Sequence, residues 1–310
     1  MRKAVIHELT ELARTDERLV LLTGDLGFMV IEEFAETHPT RFINMGVAEA
    51  NMLGVAAGLA LEGYRPYCYS IATFASLRPF EQLRNGAHLH QLQVRVIAVG
   101  GGFGYGTAGI THHAVEDVAL MRTLPHMRVI VPADDRDAAS AVRVLHDAKG
   151  PTYFRFAKDS RVLDALPGTF DETRLQVVGD GDVLLLALGT IADEAVRAQK
   201  LLAARGVHVR LAIATCLAPA PVDHLVELLR EARSVVTLED HVLPGGLGSL
   251  VAEVIAERAL GCRLQRLGIE ETHSPTLGSE AFLRRRAGID AETVAARLAA
   301  LVASQYLRAS

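Results

Sequence analysis

Three places in the chain carry residues whose types and spacing could do chemistry. The first is RFINMGVAEANMLGVAAGLALEGYRP, residues 41–66, in which a short strand-like segment turns through Gly46 into a helical stretch that opens on one acid, Glu49. That helix is crowded with small residues (Ala48, Gly54, Ala56, Ala57, Gly58, Ala60), so it should pack closely, possess a buried start, and suit a subunit interface. An acid in the first turn can simply favour the helix dipole, for about 0.3–1 kcal/mol. Buried, the same group can share a proton near neutral pH and act as an acid or base. The second place is the pair His112-His113, which follows the glycine-rich run GGGFGYGTAG at 100–109; an imidazole there could move protons or hold an anion. The third is Asp25, in Thr23-Gly24-Asp25 at the end of a buried strand, either a turn residue or a group facing a ligand.

Other chemistries find little support. Cys68, Cys216 and Cys262 are scattered without metal-ligand spacing, and so sparse and odd a set points to a reducing compartment and no disulfide framework. The glycine run at 100–109 is neither a phosphate-binding P-loop nor a clean dinucleotide fingerprint. A formal charge of −5 shows no basic excess for nucleic acid. The start, MRKAVIHELTELAR, lacks a continuous apolar stretch and reads as a helix, and runs such as Val183–Leu188 are too short to span a bilayer. The expectation is a soluble, cytoplasmic protein.

The elements that must position these groups follow from hydrophobic periodicity. A length of 310 residues, half of them hydrophobic and 22% charged, accommodates two globular domains. Helix 2–15 is followed by strand 19–22, strand 41–44, helix 49–61, a strand near 66–69, helix 79–88 and strand 94–99. Helix 115–122, strand 128–131, helix 136–146 and strand 152–156 complete the first series. A second runs through strand 182–188, helix 192–205, strand 208–213, helix 222–231, strand 234–238, helix 247–256, strand 263–267 and terminal helices. Such alternation predicts an α/β protein of two domains, each a mainly parallel sheet flanked by helices. The expected division is 1–165, a turn-rich linker 166–181 marked by Pro167-Gly168, and 182–310. Ligands of such sheets gather beyond the carboxyl ends of the strands; Asp25, the turn before Glu49 and the glycine run after Val99 all fall there.

Residues 42–84 resemble the transketolase pyrimidine-domain signature, above all that of the separate C-terminal subunits of split transketolases. They are also similar to deoxyxylulose-phosphate synthase and to the beta subunits of 2-oxo-acid dehydrogenases. The resemblance continues through GITHHAVEDVALMR (109–122), VPAD (131–134), GPTYFR (150–155) and VTLEDHVLPGGLGS (236–249), and so covers nearly the whole chain. It implies a thiamine-diphosphate-binding pyrimidine fold followed by a transketolase C-terminal-like domain. Glu49 then matches the catalytic glutamate that hydrogen-bonds N1′ of the aminopyrimidine and promotes loss of the thiazolium C2 proton. Phe74 matches the aromatic residue on the pyrimidine ring, and Ile71 stands where another aromatic is usual. His112 matches a histidine facing the reacting centre, His113 replaces a commoner glutamine, and Asp25 matches an aspartate near the cofactor. Arg78, Phe80 and Gln82 continue an R-x-[FY]-[ED]-Q pattern expected to be structural or at an interface.

Departures from the family bear on substrate. Gly100 and Ala108 stand where sugar transketolases carry a histidine and an acid that grip donor hydroxyls, and Gly101 stands where deoxyxylulose-phosphate synthase has an arginine. Arg155 and Lys158 remain as anion-binding candidates. A dehydroxylated donor such as a 2-oxo acid, or an unusual sugar acceptor, fits these losses better than a plain pentose-phosphate role.

The resemblance also implies a missing half. The family binds the diphosphate through Mg²⁺ with a G-D-G sequence and a later asparagine, but the asparagines here (Asn44, Asn51, Asn85) all precede Gly179-Asp180-Gly181. The chain should thus hold no metal itself, and a diphosphate-binding N-terminal subunit should hold Mg²⁺ in a dimer of heterodimers built on a homodimer core. The implied activity is transfer of a two-carbon ketol or acyl unit to an aldehyde acceptor, by a transferase active only with its partner. A 2-oxo-acid dehydrogenase beta subunit and a degenerate, partner-binding scaffold are the alternatives.

Overall fold

Continuous apolar runs form strands where helices cover both faces of a sheet, and the computed structural model, which describes residues 1–270 and 276–309, follows that rule. In chain order the first half contributes strands β1 (Leu19–Thr23), β2 (Phe42–Asn44), β3 (Arg65–Ile71), β4 (Arg95–Val99), β5 (Arg128–Ile130) and β6 (Thr152–Phe156). The second adds β7 (Gln176–Val178), β8 (Val183–Leu188), β9 (Arg210–Ala214), β10 (Cys216–Ala218), β11 (Ser234–Val242) and β12 (Arg263–Ile269). The helices are α1 (Arg2–Thr15), α2 (Glu32–Thr37), α3 (Glu49–Leu61), α4 (Ala72–Ser76), α5 (Phe80–Gln82, which runs on as a wider π-type turn), α6 (Asp117–Arg122) and α7 (Asp135–Val144). They continue as α8 (Ala192–Ala203), α9 (Val222–Glu231), α10 (Leu247–Glu257), α11 (Glu280–Arg286) and α12 (Ala291–Ala309).

Among the described residues the first sheet has seven strands in the order β10-β5-β6-β4-β3-β1-β2, parallel except for β10. The second has five, β12-β11-β8-β9-β7, with β7 antiparallel at its edge. Two short strands depart from the sequence reading. β7 lies inside the segment expected to be a plain linker, and β10 leaves the second half to extend the first sheet beside β5. Neither three-residue strand has enough periodicity to be read from sequence. Among the described residues, no helix is long and apolar enough to cross a membrane.

Helix α3, expected to pack closely, with a buried start, and to suit a subunit interface, has one buried and one open face in the single chain. Glu49, Met52, Leu53, Ala56 and Ala57 face the core, whereas Asn51, Gly54, Gly58 and Leu61 are exposed.

The seam between the halves is polar. Arg155, at the end of β6, is 0% exposed. Its Nε donates to Asp117 at 3.1 Å, Nη1 to Asp240 at 2.7 Å and Thr190 at 2.6 Å, and Nη2 to the carbonyls of Ala114 and Asp240. This buried role replaces the anion-binding one expected of Arg155: the guanidinium is surrounded by internal acceptors. Next in β11, Glu239 accepts from the Leu247 and Gly248 N–H groups at the start of α10, while burial pushes its carboxyl up to about 7. His241 accepts the Ala119 N–H at Nε2 and faces the Val242 carbonyl with Nδ1, so the neutral imidazole joins the two halves. The TLEDH stretch of the sequence is thereby a seam motif.

Breaking a buried charge pair leaves a charge without compensation. Arg155→Met should lower unfolding free energy by about 3–5 kcal/mol in urea titration; a loss below about 1 kcal/mol would contradict the seam's role. Burial opposes ionisation of Asp240, but the charges of Arg155 and Arg284 and the hydrogen bonds from Arg155 and Thr190 outweigh it and hold the carboxyl at about 2. Because the folded value lies below the ordinary 3.8, the Asp240 contribution is complete above that pH and is lost as pH falls toward 2. Thermal melting should follow that slope, and Asp240→Asn should flatten it.

Candidate active site

The carboxyl edge of the first sheet gathers most of the residues singled out from sequence. β2 ends at Asn44, and after a four-residue turn α3 begins with Glu49, whose position at the inner start of the helix leaves it only 2% exposed. Arg78 Nη1 donates to Glu49 Oε2 at 2.9 Å, and Ser70 Oγ, near the end of β3, lies 3.4 Å from Oε1. Ile71 closes β3 opposite Val99 of β4 and is the residue from which α4 departs, and α4 carries Phe74. The loop after β4 returns as two short 3₁₀ turns, the second of which (Ile110–His112) brings the His112 ring edge-on to Phe74, centroids 5.0 Å apart. Glu49, Phe74 and His112, distant in sequence, thus converge on one edge.

Arg78 binds them together. Its Cζ sits 3.8 Å from the centroid of Phe74 while its Nη1 reaches Glu49. The expectation of a structural or interface role for Arg78 is therefore corrected: it lies in the site. The signal was partly present, since positions 74 and 78 have the i,i+4 spacing that places a cation near a ring. The pairing with an acid 29 positions earlier was not. Burial, and then the charges of Arg78 and His113, push the His112 imidazole below its ordinary value, so it is neutral at pH 7 and able to accept a proton. Its Nδ1 lies 2.9 Å from Thr111 Oγ1.

The remaining candidates separate. Asp25 is exposed, holds a left-handed backbone (φ 58°), and accepts from Asn44 Nδ2 at 2.9 Å, tying the loops after β1 and β2 together at the same edge. Lys158 places its ammonium 5.0 Å from the Tyr105 ring. His113 is buried, packs edge-on against Phe103, and lines a cleft with Val115, Ile269 and Glu270 at the seam. None of Glu49, Phe74 and His112 lines that cleft, although Ile110 of the His112 turn borders it.

Tyr105, which stands out by no motif in the sequence, accounts for Gly100. Gly100 has φ +80°, and a Cβ there would strike the Tyr105 ring; a Cβ on Gly101 would strike the Arg155 guanidinium. The space that larger side chains would need is filled from within the chain. The Tyr105 ring centroid is 6.3 Å from that of His112, so the aromatic wall extends from Phe74 through His112 to Tyr105.

An aminopyrimidine requires a carboxyl group that can share a proton with its ring nitrogen and a flat apolar face, and Glu49 and Phe74 offer both. The Arg78 guanidinium, a planar group that donates N–H to Glu49 while stacked on Phe74, already makes the two contacts such a ring would make. The site fits that end of thiamine diphosphate. Among the described residues no group of three or more His, Cys, Asp or Glu side chains could hold a metal ion.

Comparison with known proteins gives the same outline. Residues 1–161 match the family model of the transketolase pyrimidine binding domain, and residues 173–294 match that of the transketolase C-terminal domain. A Methanocaldococcus jannaschii protein provisionally named a transketolase C-terminal section is 36% identical over 96% of this chain and 95% of its own. One of the subunits of apulose-4-phosphate transketolase from Phocaeicola vulgatus is 31% identical over 85% of this chain and 86% of its own. Among solved structures, a split-gene transketolase described as an inactive β4 tetramer superposes with a TM-score of 0.86 at 35% identity, over 95% of both chains.

Two measurements probe this geometry. Arg78→Met should raise the His112 pKa by removing a nearby positive charge, as an NMR titration of the imidazole C–H signals would record; an unmoved value would separate the two groups. Gly100→His forces a side chain onto a left-handed backbone and into Tyr105, and should cost about 1–3 kcal/mol of stability in urea titration. Adding Tyr105→Ala should recover part of that loss.

Proposed function

The chain belongs to the transketolase family, and on that footing we propose that it is the pyrimidine-binding subunit of a split thiamine-diphosphate-dependent enzyme that moves a two-carbon unit from a ketose or 2-oxo acid to an aldehyde. The observation that carries this reading is Glu49: a carboxylate 2% exposed, at the carboxyl edge of a parallel sheet, linked through Arg78 to the Phe74 ring, which in turn meets a neutral imidazole. When bound, thiamine diphosphate supplies the nucleophilic carbon on which carbon–carbon bonds are broken and made. Glu49 holds a proton at N1′ of the pyrimidine, Phe74 supports the ring face, and Ile71 and Asp25 border the pocket. His112, neutral and partly shielded, accepts and returns protons at substrate oxygen.

The proposed partner is a diphosphate-binding subunit that brings Mg²⁺ and its oxygen ligands. Exposed apolar side chains support a covering partner. Phe28 is 71% and Met29 84% exposed, and Val47, Leu77 and Ile110 are open as well. All five lie on segments that leave the carboxyl edge near Glu49, where a single chain would ordinarily hide them. The open, small-sided face of α3 suits the contact between two copies, giving a dimer of heterodimers. On substrate, Tyr105 against Gly100 leaves an uncharged wall near His112 that favours a donor without the usual sugar hydroxyls, and Lys158 is the remaining candidate for an anionic group.

The purified chain should show no ketol transfer alone and should gain it when a cognate diphosphate-binding subunit is added; robust turnover by the lone chain would overturn the split arrangement. In the reconstituted pair, Glu49→Gln should slow thiazolium C2–H exchange by about 100-fold or more with an unchanged circular dichroism spectrum. Exchange near the wild-type rate would remove Glu49 from its role.

A further inference from the structure

We propose that Arg78 is a gate on the pyrimidine site: in the chain without its partner, the guanidinium fills the space between Glu49 and Phe74, and a ring can enter only as Arg78 leaves. This rests on the reading of Glu49 and Phe74 as that site. The two contacts are made by one group at once, a 2.9 Å hydrogen bond to the carboxylate and a 3.8 Å approach to the ring centroid. At that distance from the ring no second planar group can lie between them, so guanidinium and pyrimidine exclude each other.

The gate has the physical means to open. Arg78 follows α4 outside its last turn, and its side chain is 45% exposed, against 1% for that of Glu49. A long, flexible stem with a solvated head can swing into water without disturbing the core. Departure without replacement is unfavourable, because among the described residues Glu49 would keep only Ser70, at 3.4 Å, as a neighbouring donor while remaining buried. Arg78 therefore exchanges with an incoming ring that shares a proton with the carboxyl group, and Glu49 keeps a hydrogen-bond partner in both states. The apparent affinity of the site falls in proportion to the fraction of chains in which it is open.

Calorimetric titration of the full, partner-free chain with 4-amino-5-hydroxymethyl-2-methylpyrimidine tests the gate. Arg78→Met should bind this probe about tenfold or more tightly than wild type. Arg78→Lys, which keeps charge but loses the planar fork, should fall between them. Glu49→Gln should abolish the gain when combined with Arg78→Met. Circular dichroism and melting temperature report that each variant is folded, and Arg78→Lys carries the test if Arg78→Met is not. If opening Arg78 leaves affinity unchanged or weaker while Glu49→Gln still weakens binding, the gate is wrong and the site stands. If Glu49→Gln changes binding in no background, the site itself is wrong. No detectable binding by folded Arg78→Met also overturns the gate, since an opened site must accept the probe.

Discussion

A carboxylate taken out of water must have a partner, and the arrangement at the carboxyl edge of the first sheet follows from how Glu49 meets that demand. Its neighbours by hydrogen bonding are Arg78 and, more distantly, Ser70. Among the described residues Arg78 is held by this ion pair and the face of Phe74, and nearly half of its side chain reaches solvent. A rigid, fully satisfied carboxylate would be inert, whereas one whose main partner is a mobile cation can exchange that partner for a ligand. The face of Phe74, whose ring is held against His112, keeps the exchange site flat and partly dry.

The seam between the two halves solves the same electrostatic problem in the opposite way. Arg155 is enclosed by Asp117, Asp240, Thr190 and two carbonyls, each within hydrogen-bonding distance. Nothing there can swing free. The geometry fixes how the second sheet sits on the first, and the loop that carries His112 is anchored close by, through the Gly102–Ala114 bridge. The second half thus supports the loop from behind while contributing none of Glu49, Phe74 or His112. Buried polar groups specify one arrangement here, and the exchangeable one lies at the candidate site.

The glycine run between β4 and His112 shows why missing side chains are ambiguous in sequence. Gly100 and Gly101 read as lost polar groups and therefore as an emptied pocket. In the fold they are clearances, one for the Tyr105 ring and one for the Arg155 guanidinium. A small residue reports that something else comes close, and it does not report what. The proposed preference for a less hydroxylated donor accordingly rests on the aromatic wall rather than on vacancy.

Hydrophobic period and chain direction are local properties, and they made the α/β class, the parallel alternation and the helices Arg2–Thr15 and Glu49–Leu61 legible along the chain. Strand ends of a parallel sheet share a side, so the same reading put Asp25, the turn before Glu49 and the glycine run after Val99 at one sheet edge, while Phe74 and His112 were singled out by the family resemblance. Folding in three dimensions was needed for the rest: that Arg155 is a seam residue rather than a ligand, that His113 faces a different cleft, that β10 crosses to the first sheet, and that Arg78 covers the carboxylate. Each of these depends on which distant groups meet, and long-range pairing of charges and rings leaves no period in the order of the residues.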